Sequence, residues 1–521
     1  MSIAEPTSYD EVPYPSYPIR RTHPANIGAI ARLFGVEAAS PRAARVLEIG
    51  CASGGNLLPI AVAYPQARLV GIDASRRQID DGRKVIEELG LKNLELRACD
   101  VRDLDSDVEP FDYIICHGVF SWVPPEVQTR ILETCRRHLA PHGVAYVSYN
   151  AQPGWHLRTV VRDMMRYHVR NWKEPDQRIT QARALLDFLV KTADGRTEAY
   201  RQMLKEEAEL IRVREDSYLF HEHLEEHNQA FYLHEFVAQA ERAGLQYLGD
   251  SEFSSMLAGE FGPEVTELLE DAPLVVHEQY LDFLRSRSFR CTLLCHRELT
   301  IRRRINAGVL QDSHITLDQP LEIDQLPGSP DEPLICRAQG ETLTARAPVT
   351  QAALLALHEI WPDAPTLEEL EAAAWRGARE KLSVVPVDEA DWRRTLHDDL
   401  LTLYSRRLVR LLRDPPRCAT RASDFPKASP LVRYQAERHT SASTVRHEQM
   451  RLSDIHRWLL PRLDGQTSRS ALAASLAEAL RSRELTVKRD GEPVTDVDDT
   501  LVEQVLDASF QSLANMGLLI G

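Results

Sequence analysis

The sequence predicts an α/β protein: a doubly wound, mostly parallel sheet with a helical insertion, then a mostly helical C-terminal domain built from two winged-helix-like units. Three observations carry this expectation. Short apolar runs alternate with helical patterns as far as residue 150. A long polar helical stretch then interrupts the alternation, and after a Pro- and Asp-rich boundary one arrangement of helices occurs twice. At 521 residues the chain calls for two to four separately cored domains.

The runs RVLEIG (45–50), ARLVGID (67–73), NLELRACD (93–100), FDYIICHG (111–118) and GVAYVSYN (143–150) are short, apolar and closed by polar residues or glycine. They read as buried parallel strands. Helical patterns at 57–63, 75–89 and 126–139 separate them, which places ligands at the carboxyl ends of the strands. The Arg-, Glu- and Ala-rich stretch 157–219 has too many periodic apolar positions for a linker. It is expected to form an insertion over 156–227, on the ligand edge of the sheet. An amphipathic helix (231–244) and two strands (245–253 and 289–299) then complete the sheet, so this domain is expected to span 25–300 behind an N-terminal arm, 1–24.

LDQPLEIDQLPGSPDEP falls within 301–350, a segment expected to be a linker. In 351–521 the helices of 353–374 and 398–412 resemble those of 454–476 and 507–520, each copy having an apolar His-containing helix, a Pro-containing turn, a Thr-capped helix and a Leu-rich end. A polar linker near 414–445 is expected between the copies. Winged helices can bind DNA, but a formal charge of 62 minus 78, or -16, and the lack of a basic recognition helix point away from nucleic acid and toward protein contacts.

The eight cysteines are scattered and read as reduced packing residues. Cys291, Cys295 and His296 lack a second ligand cluster, and His223 with His227 reads as a hydrogen-bonded helix start, so no metal is expected. With no charged-then-apolar leader and no apolar run of about 18 residues, the expectation is a cytoplasmic protein without a membrane span. Only eight of the 62 basic residues are lysine, which codon bias explains most simply and which would also suit an enzyme that modifies lysine.

The stretch VLEIGCASGGNL (46–57) holds the first chemistry. Gly50-x-Ala52-x-x-Gly55, with Asp73 downstream, is a degenerate dinucleotide fingerprint. The same residues supply the S-adenosylmethionine pattern: Glu48 two residues before the first glycine, then Gly50, Ala52 and Gly54 at alternate positions. Ala52 replaces the usual middle glycine, a departure tolerable if its φ stays negative. A methionyl carboxylate needs N–H groups at a helix start and its ammonium needs carbonyls or an acid. The turn offers both through Gly50, Cys51, Ala52, Gly54 and Asn56. Asp73, with Ala74 behind it, ends the second strand and suits the ribose hydroxyls. Asp100 and the Val101 amide end the third and suit adenine. Three acids at these positions favour methyl transfer over an NAD-dependent dehydrogenase, which stays open as the poorest fit.

YDEVPYPSYPIRRTHPANIGAIARLFG (9–35), VLEIGCASGGNLLPIA (46–61), CHGVFSWVPPE (116–126), SYNAQPGW (148–155), HEHLEEHNQAFYLHEFV (221–237) and FRCTLLCH (289–296) carry a wider likeness. Through them the chain resembles class I methyltransferases, and within these a bacterial group with an appended methyltransferase regulatory domain that includes rickettsial-type outer-membrane-protein lysine methyltransferases. The resemblance covers about residues 9–300 well and the remainder loosely. It implies S-adenosylmethionine as cofactor, a Rossmann-like sheet and a regulatory-domain segment at about 215–300. It also implies an N-terminal lid bringing Tyr14, Tyr17 and His23 near the methionyl end or the acceptor.

Methyl transfer from a sulfonium is an in-line displacement, so alignment dominates. A lysine acceptor must also be neutral, and an aromatic, desolvating pocket lowers its pKa from about 10.4. The candidates are His117, Phe120 and Trp122 after the fourth strand and Tyr149, Asn150 and Trp155 after the fifth. Packing under the following helix is an equal reading for Phe120 and Trp122. By the resemblance His117 also touches cofactor, and Glu222 and His223 of HEHLEEH meet the incoming amine. The expected acceptor is a protein lysine, on an outer-membrane or surface protein. A small-molecule acceptor, a non-catalytic cofactor-binding module and a homodimer stay open.

Overall fold

The computed structural model describes residues 8–104, 108–381, 384, 388–489, 492–494 and 496–520, so the first seven residues of the arm lie outside it. The described residues divide into two units: those within 8–16, 44–57 and 68–300 form the first, and those within 17–43, 58–67 and 301–520 the second.

The first unit is built on seven strands, β1 (Arg45–Ile49), β2 (Arg68–Asp73), β3 (Leu94–Ala98), β4 (Phe111–Cys116), β5 (Leu139–Asn150), β6 (Leu245–Asp250) and β7 (Phe289–His296). Their order is β3-β2-β1-β4-β5-β7-β6. β1 to β5 run parallel, and β7 is antiparallel to both of its neighbours. Strand direction of travel reverses between β1 and β4, so the crevice at their carboxyl ends is where such a sheet binds ligands. Val46, Leu47, Ile114, Ile115, Val144 and Val147 are essentially inaccessible, which is why these strands read as unbroken apolar runs. After β2, the Ser75 hydroxyl caps helix Arg76–Leu89 by accepting from the Gln78 N–H, and Gly90 at φ 65° ends it.

Between β5 and β6 lie helices Trp155–Val169, Pro175–Thr192 and Glu198–Arg212, then a π-helical turn at Phe220–Leu224. Their stripes of Val161, Met165, Ile179, Ala182, Leu186, Leu204 and Ile211 form a separate small core. Helix Leu274–Arg285 packs over β6 and β7 and surrounds Arg290, whose guanidinium is fully buried between Asp282 (2.7 Å) and Glu278 (3.1 Å). Asp250 adds a third carboxylate at 3.6 Å, so this buried cation is paired on more than one side.

In the second unit, residues 301–350 are not a linker. They carry β8 (His314–Leu317), β9 (Glu322–Gln325), β10 (Leu334–Ala338) and β11 (Glu341–Ala345). β9 to β11 form a small antiparallel sheet, and β8 pairs with β12 (Val409–Leu412). Exposed positions alternate with buried ones in β10 and β11, and the proline-rich connections hide that period in the sequence. Residues 17–24, expected in the N-terminal arm, and 25–43 and 58–67, expected within the sheet domain, group here as well. Helix Pro24–Leu33 buries eight of its ten residues, and Arg413 donates its N–H to the Ala25 carbonyl at 2.9 Å.

The two stretches read as copies have a similar element order. Helices Pro348–Glu359, Leu367–Lys381 and Glu389–Ser405 lead into β12, and Asp454–Leu459, Arg469–Arg481 and Asp499–Asn515 lead into an extended end where Leu519 bridges Ala428. Among the described residues no helix is long and apolar enough to cross a membrane, and no group of three His, Cys, Asp or Glu side chains is placed to hold a metal.

Candidate active site

β1 ends at Ile49 and the chain turns through Gly50, Ala52 and Gly54 at φ 73°, 50° and 78°. Gly50 is required twice over, by its positive φ and because a Cβ there would lie 2.3 Å from a Val119 methyl. Ala52 departs from the expected negative φ: it is left-handed, held there by its N–H donating to Asp73 Oδ2 at 2.8 Å. Asp73 Oδ1 accepts the Ser75 N–H at 2.8 Å. A carboxylate has about four lone-pair sites, so Asp73 keeps acceptor capacity on both oxygens. Burial raises its pKa, and the two N–H groups oppose the rise.

Glu48 is 3% exposed. Its Oε1 accepts from the Asn56 amide at 2.7 Å, while its buried Oε2 has no hydrogen-bond partner. Burial pushes this carboxyl up to about 8, only partly opposed by Asn56, so it is mostly protonated at neutral pH. A cation reaching Oε2 would reverse that.

The arm lies on this turn. Ser16 Oγ accepts the Gly55 N–H at 2.7 Å, and a Cβ on Gly55 would sit 2.3 Å from the Ser16 carbonyl oxygen. Asp10 accepts from the Ser75 hydroxyl at 2.6 Å. Tyr9 stacks on His221 at 4.2 Å, and Tyr14 meets the same ring edge-on at 5.7 Å. His221 Nε2 bonds the Val12 carbonyl at 2.7 Å. Burial raises the Tyr9 phenol pKa, with further contributions from Glu225, Glu222 and Asp73, so one tyrosine feels the charges of both the turn and the insertion. Glu222 is itself pushed up to about 7 by burial, against the pull of Arg158 and Arg162.

At the carboxyl ends of β4 and β5, hydrogen bonds tie three segments together. Ser148 Oγ accepts the Gly118 N–H, Ser121 Oγ accepts the Asn150 N–H, and the Asn150 carbonyl accepts the Phe231 N–H, all at 2.8–2.9 Å. Trp122 and Trp155 meet edge-to-face at 6.0 Å, and the Trp155 indole donates to Asn228 at 2.7 Å. Arg162 lies 5.7 Å over Trp122. Asn150 Nδ2, Gln152 Oε1 and Asn228 Nδ2 are buried without hydrogen-bond partners, and the Asn228 amide is the one bonded to the Trp155 indole.

Comparison with known proteins agrees with this geometry. Residues 46–143 match the family described as "Methyltransferase domain", 215–296 the "Predicted methyltransferase regulatory domain" and 424–518 the "PKMT, C-terminal winged helix domain". An uncharacterized protein of Rickettsia prowazekii, RP789, is 35% identical over 518 residues, covering 98% of this chain and 92% of its own. A second from that organism, RP028, is 40% identical over 241 residues, 46% of this chain and 96% of its own. The solved structure of PKMT2 from Rickettsia typhi superposes with a TM-score of 0.87 at 31% identity, covering 98% of this chain and all of that one, and PKMT2 has also been solved in complex with AdoHcy. The chain belongs to the PKMT family of class I methyltransferases. Its cofactor is S-adenosylmethionine.

The methyltransferase brings together only part of the expected set. Glu48, Gly50, Cys51, Ala52, Gly54, Asn56, Asp73 and Ala74 adjoin one turn. Asp100 is engaged by its neighbour Arg102, through a guanidinium fork at 2.8–3.0 Å and the Arg102 N–H, which holds its carboxyl below the usual range. Val101 is buried beside it. His117 Nδ1 lies 2.9 Å from the Tyr146 hydroxyl.

Other residues are placed differently. Tyr149 is a core residue, 1% exposed, stacked on Phe236 and bonded to the Thr292 hydroxyl at 3.1 Å, and Phe120 is fully buried in the same cluster. His223 is buried against Glu207 at 2.8 Å. Tyr17 and His23 belong to the second unit, where His23 Nδ1 accepts the Ala25 N–H at 3.1 Å. Tyr9, Asp10, Ser16, Gln152 and Asn228 also stand at this site, with no motif in the sequence to mark them. The first three stand in a Tyr- and Pro-rich segment without periodicity.

Proposed function

We propose that this methyltransferase transfers methyl groups to lysine side chains of a protein acceptor, holding its cofactor on Glu48, the turn at 50–56, Asp73 and Asp100. The observation that carries the cofactor placement is the buried, unpartnered Glu48 Oε2 beside a turn whose second acid, Asp73, keeps open acceptor sites. Glu48 supplies the counter-charge for an ammonium group, and Asp73 accepts from a diol while fixing Ala52 and Ser75. Asp100 accepts from an exocyclic amine once its exposed Arg102 fork opens, an exchange of little cost in water. When bound, S-adenosylmethionine supplies an electrophilic methyl group on a sulfonium centre.

Three features support the lysine reading: the PKMT-type winged helix and full-length likeness to PKMT2, the Trp122–Trp155 pair together with the unsatisfied amides, and Glu222. The tryptophans desolvate an approaching amine and so favour its neutral, nucleophilic form. Asn150 and Asn228 orient it, and Glu222, with a pKa of about 7, accepts the proton it sheds. The test is incubation with isotopically labelled S-adenosylmethionine and candidate acceptors, outer-membrane proteins among them, followed by peptide mass spectrometry. Label on lysine is expected; label confined to small metabolites overturns the reading.

A further inference from the structure

The second unit contains a cavity that the methyl-transfer chemistry does not use, its wall largely apolar with a few polar groups set into it. Arg410, Arg446, His23, His447, Thr316 and Cys418 line it, with about 30 Å³ of room for water centres, more than one water needs. Arg410 and Thr316 are direct cross-strand partners on β12 and β8, so both side chains leave the same face. The His23 and His447 rings stand 4.8 Å apart, and His23 precedes the N-terminus of the ten-residue helix Pro24–Leu33. That end carries partial positive charge.

The charges here do not balance. Arg20 bridges Asp318 and Glu448, at 3.0 Å to each. Arg446, 6% exposed in its side chain, stacks on Trp361 at 4.0 Å and donates to the carbonyls of Leu317 and Asp318. Its buried Nε makes no hydrogen bond, and the Glu448 carboxylate stands 3.8 Å away. Arg417 and Asp363 nearby satisfy each other at 2.8 Å. Among the described residues the Arg410 guanidinium makes neither a hydrogen bond nor an ion pair. Three guanidinium groups thus face two carboxylates. Burial, Arg20 and Arg446 push Arg410 down to about 9, and burial lowers His23 to about 3, so neither histidine supplies or needs a counter-charge at neutral pH.

We propose that this cavity binds a small free oxyanion, a phosphate, sulfate or carboxylate, on Arg410, with the Arg446 Nε–H and the Thr316 hydroxyl as further donors. A half-buried guanidinium left without a partner in a charge-unbalanced cavity is what such an anion completes.

The test uses the full chain, titrated with sodium phosphate, sulfate and acetate against sodium chloride at constant ionic strength, read by thermal unfolding and, for phosphate, by ³¹P line broadening. Saturable stabilisation by at least one oxyanion beyond that of chloride is expected. The Arg410→Met variant is expected to bind at least about tenfold more weakly, the loss of one charge-assisted contact. Thr316→Val, close in shape to the native residue, should show a smaller loss and guards against a folding defect in the first variant. Equal effects of all four salts on the wild type, or unchanged oxyanion affinity in Arg410→Met, overturn the proposal.

Discussion

Glu48→Gln isolates the buried acid of the turn. The Glu48 carboxyl has its pKa raised by burial from the ordinary 4.5 to about 8. In the unfolded chain it ionises at the ordinary value. Stability is therefore fully present below about pH 4.5 and is lost as pH rises toward 8. Integrating between those values, the ligand-free wild type gives up about 1 kcal/mol by pH 5 and about 5 kcal/mol by pH 9, relative to a group that never ionises. Glutamine is such a group, and its amide oxygen can keep the Asn56 hydrogen bond. The ligand-free variant should be the more stable protein, with the gap widening by about 4 kcal/mol between pH 5 and pH 9, or roughly 8–16 °C in Tm for a unit of this size.

Cofactor binding should move the opposite way. Losing one charge-assisted contact weakens affinity for S-adenosylhomocysteine by roughly ten- to a hundredfold. Wild-type binding at pH 7 should release about 0.9 proton, the fraction that a pKa near 8 leaves to be displaced. Calorimetry in buffers of different ionisation enthalpy measures that proton, and thermal scans from pH 5 to 9 measure the gap. Parallel stability curves for the two proteins, together with proton-neutral binding, would refute the assignment of Oε2 to a cationic group.

Three further outcomes follow from the same geometry. Asp73→Ala removes the acceptor of two backbone N–H groups, so cofactor affinity should fall at least about tenfold with a stability loss of about 1–3 kcal/mol; unchanged affinity in calorimetry removes Asp73 from the site. Gly55→Ala places a methyl 2.3 Å from the Ser16 carbonyl oxygen and should lift the arm, making residues 8–16 more sensitive to limited proteolysis than in the wild type; equal digestion rates show that the contact does not hold the arm. Glu222→Gln should lower the methylation rate by roughly a hundredfold and abolish the rise of activity through pH 7; a variant that keeps this limb excludes Glu222 as proton acceptor.

Much of the sheet was legible because parallel strands buried on both faces must be continuous apolar runs, and Glu48, Asp73 and Asp100 stood out at fixed places relative to those runs. Side-chain direction at the strand ends was not legible. Ser148 and Asn150 lie on one side of β5 and Tyr149 on the other, where it stacks on Phe236, and nothing local distinguishes the two sides of a sheet covered on both. In HEHLEEH the π-helical turn ends at Leu224, before His227, and His223 is hydrogen-bonded to Glu207, a partner sixteen residues earlier that no local spacing announces.

The sequence alone determined the cofactor turn and its class of chemistry, since a strand, a glycine turn and three acids at set intervals act through neighbours a few residues away. Tertiary structure decided the charge states and the cover: Ser16 reaching Gly55, Glu48 holding its proton, and Arg410 left without a counter-ion near His23, nearly four hundred residues earlier in the chain. Desolvation and Coulomb interaction depend on everything packed around a group in space, a sum that contiguous sequence does not contain.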